Sequence, residues 1–230
     1  ARLRPSASRR HSRRWLGYRP RPDDIVIATN PKCGTTWTQR IVSMLVLQST
    51  VPRPLFEISI WLDARMFQPL EADLAALDGQ THRRFIKTHL PLDALPFYED
   101  VRYIHVARDG RDAFMSYHNH RHSFTERALE RFDGIGMADA ALGRPYPRCP
   151  DDPRAWFRDW LQGRVDAGTD HDPRKSNFFH TEASYWAERH RPNMLMVHYN
   201  DLKADLDGEM RRIAAFLEIE TPPTLWKEMV

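Results

Sequence analysis

The stretch from Asp24 to Gln48 constrains the fold of this chain more than any other part of it. Ile25–Ala28 is a short apolar run rich in β-branched residues, typical of a strand that a parallel sheet buries on both faces. A turn with Pro31 and Gly34 follows. Apolar side chains then recur at helical spacing, at Trp37, Ile41, Met44 and Leu45. The order strand, tight loop, helix predicts an anion-binding loop at a helix N-terminus.

The residues of this loop suit a phosphate-like ligand. Backbone N–H groups in the first turn of a helix lack internal partners and carry partial positive charge, so several of them can bind one anion. Lys32 adds a full charge, Gly34 allows close backbone approach, and Thr35 and Thr36 offer hydroxyl donors. Nucleoside triphosphatases place the lysine after the last glycine of GxxxxGK[ST], whereas Lys32 precedes Gly34, which disfavours ATP or GTP hydrolysis. An ordinary turn is the competing interpretation.

Composition favours one domain in a reducing compartment. A length of 230 residues with 41% apolar content suits a single α/β domain. The 34 basic and 31 acidic side chains leave a net charge of only +3, which argues against a nucleic-acid partner.

Two distant cysteines, Cys33 and Cys149, give no disulfide framework and predict a cytoplasmic location. Beside Lys32 and a helix N-terminus, the Cys33 thiol could have a lowered pKa; the competing interpretation is a small residue in place of serine. No apolar run approaches the roughly 20 residues of a membrane span.

The N-terminal end of the chain has a distinct composition. The first fourteen residues are rich in Arg and Ser and contain no acidic residue, so we expect a flexible basic leader over 1–17, held in part by Trp15 and Tyr18. Residues 18–230 then form the single domain.

Three more apolar stretches predict strands, and helical patterns lie between them. The predicted strands are Arg84–Thr88, Val101–Ala107 and Asn193–Tyr199. The predicted helices cover residues 69–77, 153–161, 178–189, 202–217 and 222–229. Gly and Pro punctuation predicts a long loop with one short helix over 124–149 and a mobile connection over 163–175. The fold class is therefore α/β: three layers of P-loop type, with a central parallel sheet flanked by helices.

Polar residues stand where the strands end. Parallel strands present their carboxyl ends to one crevice, so Lys87 and His89 are expected near the Lys32 loop. Arg108 follows the third strand, and Ser116 on the next helix can bind the same anion as Arg108. A surface pair of Arg108 with a neighbouring aspartate is the alternative for Arg108.

A run of three histidines, His118, His120 and His122, invites a metal-site interpretation. Only His118 and His122 share a helix face, and no cysteine or carboxylate completes a ligand set at the usual spacing, so packing is the preferred interpretation.

These motifs together resemble the PAPS-dependent sulfotransferases, a family with cytosolic and bacterial members. PKCGTTW is similar to the PKSGTTW signature, with Cys33 in place of the usual serine, and KTHLP matches the second signature as it stands. The spacing of Arg108 to Ser116 and the segment VHYNDLK, similar to FYEDLK, agree in the same order.

The resemblance implies a role for each matching residue. His89 is the implied general base, Lys87 holds the transferring sulfonyl group, and Lys32 stabilises the leaving phosphate oxygen. The loop would hold the 5′-phosphosulfate, Arg108 and Ser116 the 3′-phosphate, and Trp37 and Tyr199 the adenine. The implied nucleotide-binding set is Lys32, Cys33, Gly34, Thr35, Thr36, Trp37, Arg108, Ser116 and Tyr199. A core tyrosine at a strand end is the competing interpretation of Tyr199.

The implied reaction is in-line transfer of a sulfonyl group from 3′-phosphoadenosine 5′-phosphosulfate (PAPS) to an acceptor hydroxyl or amine. No metal is expected, since built-in cations can stabilise the charge. WLD after Ile60, RRFIKTH and Phe157–Trp160 are similar to actinobacterial glycolipid sulfotransferases, which implies a glycolipid acceptor; a small alcohol, a phenol or a steroid is the alternative. A homodimer is kept as a partner hypothesis.

Two rival functions and one missing element accompany this interpretation. The rivals are a P-loop nucleotide kinase and a non-catalytic nucleotide-binding protein. Similar enzymes complete the nucleotide site with an RKGxxGDW-like element, which does not occur before Val230. The C-terminal part of the family domain is thus expected to be absent from these 230 residues. The preferred expectation is that the missing segment is disordered without bound nucleotide, and weak nucleotide binding is the alternative.

Overall fold

A four-stranded parallel sheet is the framework of the structure, a computed structural model that describes residues 13–64, 67–138, 143–165 and 177–230. Its strands are β1 (Ile25–Thr29), β2 (Phe85–Thr88), β3 (Arg102–Ala107) and β4 (Met194–His198). They lie in the order β2-β1-β3-β4, and every neighbouring pair is parallel. The sequence prediction of a parallel α/β sheet is confirmed.

Helices connect the strands and cover both faces of the sheet. In chain order they are α1 (Thr35–Leu47), α2 (Leu55–Ile58), α3 (Leu70–Asp78), α4 (Gly110–His122), α5 (Glu126–Ala138), α6 (Pro153–Leu161), α7 (Phe178–Ala187), α8 (Tyr199–Ala204), α9 (Leu206–Leu217) and α10 (Pro223–Met229). Two 3-10 helices cover Arg13–Gly17 and Leu92–Ala94. None of the helices within the described residues has the length and apolar character needed to cross a bilayer.

Alternate residues of β1 point to two separate apolar cores. Ile25 and Ile27 pack with the buried faces of α1 and α9. Val26 and Ala28 pack on the other side, in a core that includes Trp15. Because a strand buried on both faces needs apolar side chains at every position, this arrangement explains the unbroken run that opens the sequence pattern.

The chain changes direction at β1, which places the loop after β1 at the switch point of the sheet. From β1 the chain passes to β2 on one side and then to β3 on the other. Open parallel sheets bind ligands at such a point, outside the carboxyl ends of the strands. On the outer edge of β2, Trp61 forms a single parallel bridge with Lys87, which attaches the segment after α2 to the sheet.

Most predicted elements agree with the structure to within a residue or two at their ends, but two predictions were wrong. The helix predicted over 202–217 is two helices, because Asp205 leaves the helical conformation and its carboxylate accepts a 2.8 Å hydrogen bond from the Gly208 N–H as an N-cap. The stretch predicted as mostly loop after Phe124 contains α5, a helix of 13 residues. Position 136 of that helix is occupied by glycine, and the Arg144 carbonyl oxygen lies so close to it that any side chain would clash.

Parts of two predicted segments lie outside the described residues: 1–12 of the leader and 166–175 of the connection after Gly163. The last residues of the predicted leader form the first 3-10 helix. There Trp15 is 1% exposed, and the Arg14 guanidinium donates to the Leu62 carbonyl at 2.6 Å and pairs with Asp73 at 2.5 Å.

Candidate active site

The loop between β1 and α1 has the backbone of an anion-binding turn. Lys32 has a φ of 71° and Gly34 a φ of 106°, so the chain turns sharply twice before α1 begins. The Cys33 N–H donates to the Asn30 carbonyl at 3.2 Å and closes the turn. Gly34 is the N-cap of α1 and supplies no capping side chain, so the first N–H groups of the helix remain available to a ligand.

The Cys33 side chain is a packing residue. It is fully buried and lies in a small apolar cluster with Ala113 and Phe178. Burial raises the pKa of its thiol far above the usual value, and the Glu182 carboxylate raises it further against the smaller opposing effect of Arg108. The hypothesis of a lowered thiol pKa was therefore wrong. In the predicted nucleotide-binding set, Cys33 can contribute only its backbone.

The two threonines of the loop have different surroundings. The Thr35 hydroxyl is buried and lies 2.5 Å from the Thr29 hydroxyl at the end of β1. Thr36 is exposed. Trp37 is half-buried, one residue further along α1.

Arg108 connects the loop to the end of β4. Its guanidinium donates to the Lys32 carbonyl at 2.9 Å and lies over the Tyr199 ring, with 4.2 Å from Cζ to the ring centroid. The Tyr199 ring packs edge-on against Trp37 at 5.6 Å, and a Cβ at Gly34 would lie 3.0 Å from it. Tyr199 is the first residue of α8 and not the last of β4 as predicted.

One nitrogen of Arg108 has unused binding capacity. Its Nε is buried and has no hydrogen-bond partner among the residues that the structure describes. Leaving a buried N–H of a cation unpaired costs free energy. The unpaired Nε–H of Arg108, beside an anion-binding loop, is therefore suited to donate to an oxygen of a bound anion. Ser116 lies on the second turn of α4 and is half-buried, and no hydrogen bond within the described chain joins it to Arg108.

Lys87 and His89 lie at the end of β2, on the other side of the loop. The Lys87 ammonium lies 4.0 Å from the centroid of the Trp61 ring. Burial lowers the pKa of Lys87 to about 8, with the Asp63 carboxylate acting against this and the Lys32 charge adding to it. Lys32 and Lys87 are therefore close enough for their charges to interact.

The His89 ring is held in one orientation. Its Nδ1 lies 2.8 Å from the Thr29 carbonyl oxygen, and the backbone N–H of His89 donates to Asp63 at 3.2 Å. Since a carbonyl oxygen can only accept, Nδ1 carries the proton and Nε2 keeps its lone pair. Burial and the charge of Lys87 lower the pKa of His89 to about 4, against smaller raising effects of Asp63 and the Thr29 carbonyl. The ring is thus a neutral base at neutral pH.

The structure brings most of the predicted residues into one continuous neighbourhood. Contacts and charge interactions link Lys32 to both Arg108 and Lys87, and Lys87 to His89. Tyr199, Trp37 and Gly34 join through Arg108, and Thr35 joins through Thr29. Thr36 and Ser116 make no described contact with the others, so their roles remain sequence predictions.

His120 belongs to the surroundings of this site. Burial lowers its pKa, and the charges of Lys32, Arg121 and Lys87 lower it further, so its imidazole faces the same cations as His89. The other two histidines of the run have different partners: His118 Nε2 lies 2.8 Å from the Pro150 carbonyl, and His122 pairs with Asp151. Across the described residues, no group of three His, Cys, Asp or Glu side chains is placed to hold a metal.

Sequence reasoning did not identify Thr29, Asp63 and Glu182. Thr29 supplies the acceptor for His89 and has no distinguishing sequence signal. Asp63 did have a sequence signal, because it is an acidic residue within an apolar stretch. The structure shows that it is buried there, which is rare for an aspartate. Glu182 accepts from the Asn30 amide at 2.6 Å and lies 3.0 Å from His105 Nε2, so α7 positions the start of the loop.

Comparison with known proteins gives consistent results. The family model described as "Sulfotransferase domain" matches residues 22–230. A glycolipid sulfotransferase of Mycobacterium tuberculosis is 39% identical over 222 residues, which cover 90% of this chain and 66% of that protein. Human sulfotransferase 1E1 is 29% identical over 208 residues, covering 87% of this chain and 61% of the relative. The chain thus spans about two thirds of the length of these relatives.

Solved structures share the fold. Retinol dehydratase, in complex with androsterone and inactive cofactor PAP, superposes with a TM-score of 0.68 at 22% identity, over 97% of this chain and 67% of its own. Mouse sulfotransferase SULT7A1, complexed with PAP, gives a TM-score of 0.67 at 19% identity, over 96% and 67% of the two chains. At these identities the likeness establishes the architecture of the sheet and its helices.

Proposed function

This chain belongs to the sulfotransferase domain family, and from that premise we propose that it transfers a sulfonyl group from PAPS to an acceptor hydroxyl or amine. The observation that carries the proposal is the orientation of His89. Its Nδ1–H is held by the Thr29 carbonyl at 2.8 Å, which leaves Nε2 as a base on a ring that is close to the charge of Lys87. A neutral imidazole next to built-in cations suits proton removal from an acceptor while negative charge develops on the donor.

The donor would bind across the loop and the end of β4. The backbone of the loop and the Lys32 amine suit the 5′-phosphosulfate, and the Arg108 guanidinium, with one unpaired N–H, suits a phosphate. The half-buried rings of Trp37 and Tyr199, which contact each other edge-on, suit a flat base such as adenine. The solved structures in complex with PAP, 3′-phosphoadenosine 5′-phosphate, support the same ligand class.

In the proposed step, the acceptor oxygen or nitrogen attacks sulfur from the side opposite the leaving phosphate. A bond from sulfur to the acceptor atom forms as the bond from sulfur to the 5′-phosphate oxygen breaks. The acceptor proton passes to His89 Nε2, Lys87 stabilises the oxygens of the sulfonyl group, and Lys32 stabilises the phosphate oxygen that leaves. The products are the sulfated acceptor and 3′-phosphoadenosine 5′-phosphate.

For the acceptor, we propose a glycolipid. The similarity to the mycobacterial glycolipid sulfotransferase supports this class. The exposed ring of Phe67 packs 5.7 Å from Trp61, which itself contacts Lys87 and His89, and so offers an apolar approach to the base. A cytoplasmic location and a homodimer stay predictions of the sequence.

The first experiment separates this function from a P-loop kinase. Thermal unfolding is measured with 3′-phosphoadenosine 5′-phosphate and, separately, with ATP plus Mg²⁺. We expect the first ligand to raise Tm and the second to have little effect. Stabilisation by ATP plus Mg²⁺ alone would reverse the assignment.

The second experiment tests the base. We expect His89→Ala to reduce sulfonyl transfer from labelled PAPS by about 10²- to 10⁴-fold while nucleotide binding persists, because general-base catalysis contributes about that much. His190→Ala, at an exposed position, is the matched control and should keep full transfer. Undiminished transfer by His89→Ala would remove His89 from this role.

A further inference from the structure

Asp63 is a buried carboxylate that contacts the candidate active site and has not been assigned a role in it. It is 5% exposed and lies in the segment attached to the outer edge of β2 by the Trp61 to Lys87 bridge. Arg14 secures this segment from behind through the Leu62 carbonyl. A buried carboxylate costs free energy unless several donors surround it, so its partners indicate what it does.

Those partners are groups that line the site. One oxygen of Asp63 accepts from the His89 backbone N–H at 3.2 Å and from the Trp61 indole N–H at 2.9 Å. The other oxygen lies 3.4 Å from the Trp15 indole nitrogen. The Trp61 ring in turn packs edge-on against the His89 ring at 5.0 Å and faces the Lys87 ammonium at 4.0 Å.

We propose that Asp63 is a positioning residue of the active site: its carboxylate fixes the Trp61 indole and the His89 backbone together, and so sets the His89 ring against the Lys87 amine. This inference rests on the proposed function for its catalytic meaning. The contacts that carry it do not depend on any ligand.

The charge of Asp63 adds a second effect. Burial lowers the pKa of both Lys87 and His89, and the carboxylate of Asp63 raises both. Other titratable groups interact with this set. Lys32 from the loop lowers the pKa of Lys87, and both lysines lower the pKa of His120 from α4. The charge of Asp63 also raises the pKa of Tyr185 from α7. Asp63 therefore helps to keep Lys87 cationic, since the neighbouring Lys32 acts in the opposite direction.

Asp63→Asn tests the effect on charge, because the amide keeps the shape of the side chain and removes its negative charge. The probe is the NMR titration of ¹³C-methylated lysines without substrate, with the Lys87 signal identified by its loss in Lys87→Arg. We expect the titration of Lys87 to move down by roughly one pH unit, as expected for losing one close opposite charge. Asp93→Asn, which removes a carboxylate paired with His180 instead, is the matched control and should leave Lys87 unchanged.

Asp63→Glu separates charge from position. It keeps the negative charge, so Lys87 should titrate as in the parent protein, but its longer side chain displaces the His89 and Trp61 contacts. We expect kcat to fall about tenfold, because small misplacements of a catalytic group are costly, with little change in KM for the nucleotide.

The outcomes distinguish the two proposals. An unchanged Lys87 titration in Asp63→Asn, or parent-level kcat in Asp63→Glu, overturns the role of Asp63 while sulfonyl transfer stands. If His89→Ala keeps its activity, the proposed base is wrong, but the substrate-free titration still decides whether Asp63 sets the charge of Lys87. Should Asp63→Asn fail to fold, the kcat of Asp63→Glu still decides whether Asp63 is a positioning residue.

Discussion

The pKa values of His89 and Lys87 are both lowered by their surroundings, and together they set the pH range of the proposed reaction. Burial lowers the pKa of His89 to about 4 and that of Lys87 to about 8. The base is active when His89 is neutral, which holds above its pKa. The sulfonyl-binding cation requires a protonated Lys87, which holds below its pKa.

We therefore predict that kcat/KM rises as the pH increases through about 4, stays level, and falls as the pH increases through about 8. The measurement is kcat/KM for PAPS across this range, with the folded state checked by circular dichroism at each pH. A loss of activity near pH 6.5, the usual value of a histidine, would show that His89 is not buried as described.

Arg108 is the residue whose removal should act on nucleotide binding. Hydrogen bonds to charged groups contribute about 1.5–3 kcal/mol, so Arg108→Ala should weaken binding of 3′-phosphoadenosine 5′-phosphate by roughly 10- to 100-fold. Isothermal titration calorimetry gives the Kd. Arg111→Ala is the control, because that side chain is 85% exposed and pairs with Asp109 on the same helix. Equal affinity in both variants would contradict the role of Arg108.

At the scale of elements, the loop between β1 and α1 depends on Gly34. Its φ of 106° is unfavourable for any side chain, and a Cβ there would lie 3.0 Å from the Tyr199 ring. We predict that Gly34→Ala lowers the free energy of unfolding by about 1–3 kcal/mol and also weakens nucleotide binding, because Tyr199 must shift away from Arg108.

Gly143→Ala is the matched control for this change. Gly143 also has a positive φ, 57°, but among the residues that the structure describes none lies within 4 Å of a Cβ built there. The Gly143→Ala substitution should lower the free energy of unfolding by about 1 kcal/mol and leave nucleotide binding intact. Urea unfolding and calorimetry on both variants make the comparison. If both variants lose nucleotide affinity to the same degree, the contact with Tyr199 is not the cause.

The sequence predicted the strands well and the breaks between helices less well, for a physical reason. A strand buried on both faces is largely apolar, so β1 is visible as the unbroken run Ile25–Ala28. β3 is also mostly apolar, but it contains the buried His105, whose Nε2 lies 3.0 Å from the Glu182 carboxylate. The helical pattern continues across Asp205, and only the fold decides that its carboxylate turns to cap α9. Gly136 looks like a turn residue, whereas the structure uses it for close approach to the Arg144 backbone.

Site residues follow the same division. Side chains at the carboxyl end of a strand or directly after it, such as Lys87 in β2 and Arg108 after β3, could be assigned to one crevice because parallel strands end at one edge. Asp63 and Glu182 come from segments distant in sequence, and their contacts with the site depend on how those segments pack. The buried state of the Cys33 thiol also depends on packing, so the hypothesis of a lowered thiol pKa was wrong, whereas the alternative of a small residue in place of serine agrees with the structure.

At the scale of the whole molecule, a buried ion pair connects the N-terminal segment to the sheet. Arg84 and Asp24 are each about 1% exposed; the Arg84 Nε donates to Asp24 at 2.9 Å, and its Nη2 donates to the Arg19 carbonyl at 2.8 Å. The Tyr18 hydroxyl donates to the same carboxylate at 2.6 Å. Removing one partner of such a pair leaves an uncompensated buried charge.

We predict that Asp24→Asn lowers the free energy of unfolding by about 3 kcal/mol, at the lower end of values for broken buried pairs because the exposed Asp78 still lies 3.5 Å from Arg84. Asp23→Asn, one residue earlier on the surface, should change it by less than about 0.5 kcal/mol. Urea denaturation of both variants provides the test. Equal stabilities would mean that the pair does not hold the segment in solution.

Lys32, which the proposed mechanism places on the leaving phosphate oxygen, has a left-handed backbone with a φ of 71°. That conformation lowers the stability of the fold by about 1–2 kcal/mol for a residue with a side chain, whereas glycine adopts it without this cost. If Lys32 has the proposed role, a laboratory evolution experiment that selects only for survival of heating would favour Lys32→Gly and enrich stable variants that have lost sulfonyl transfer. Any such screen needs a parallel selection for turnover.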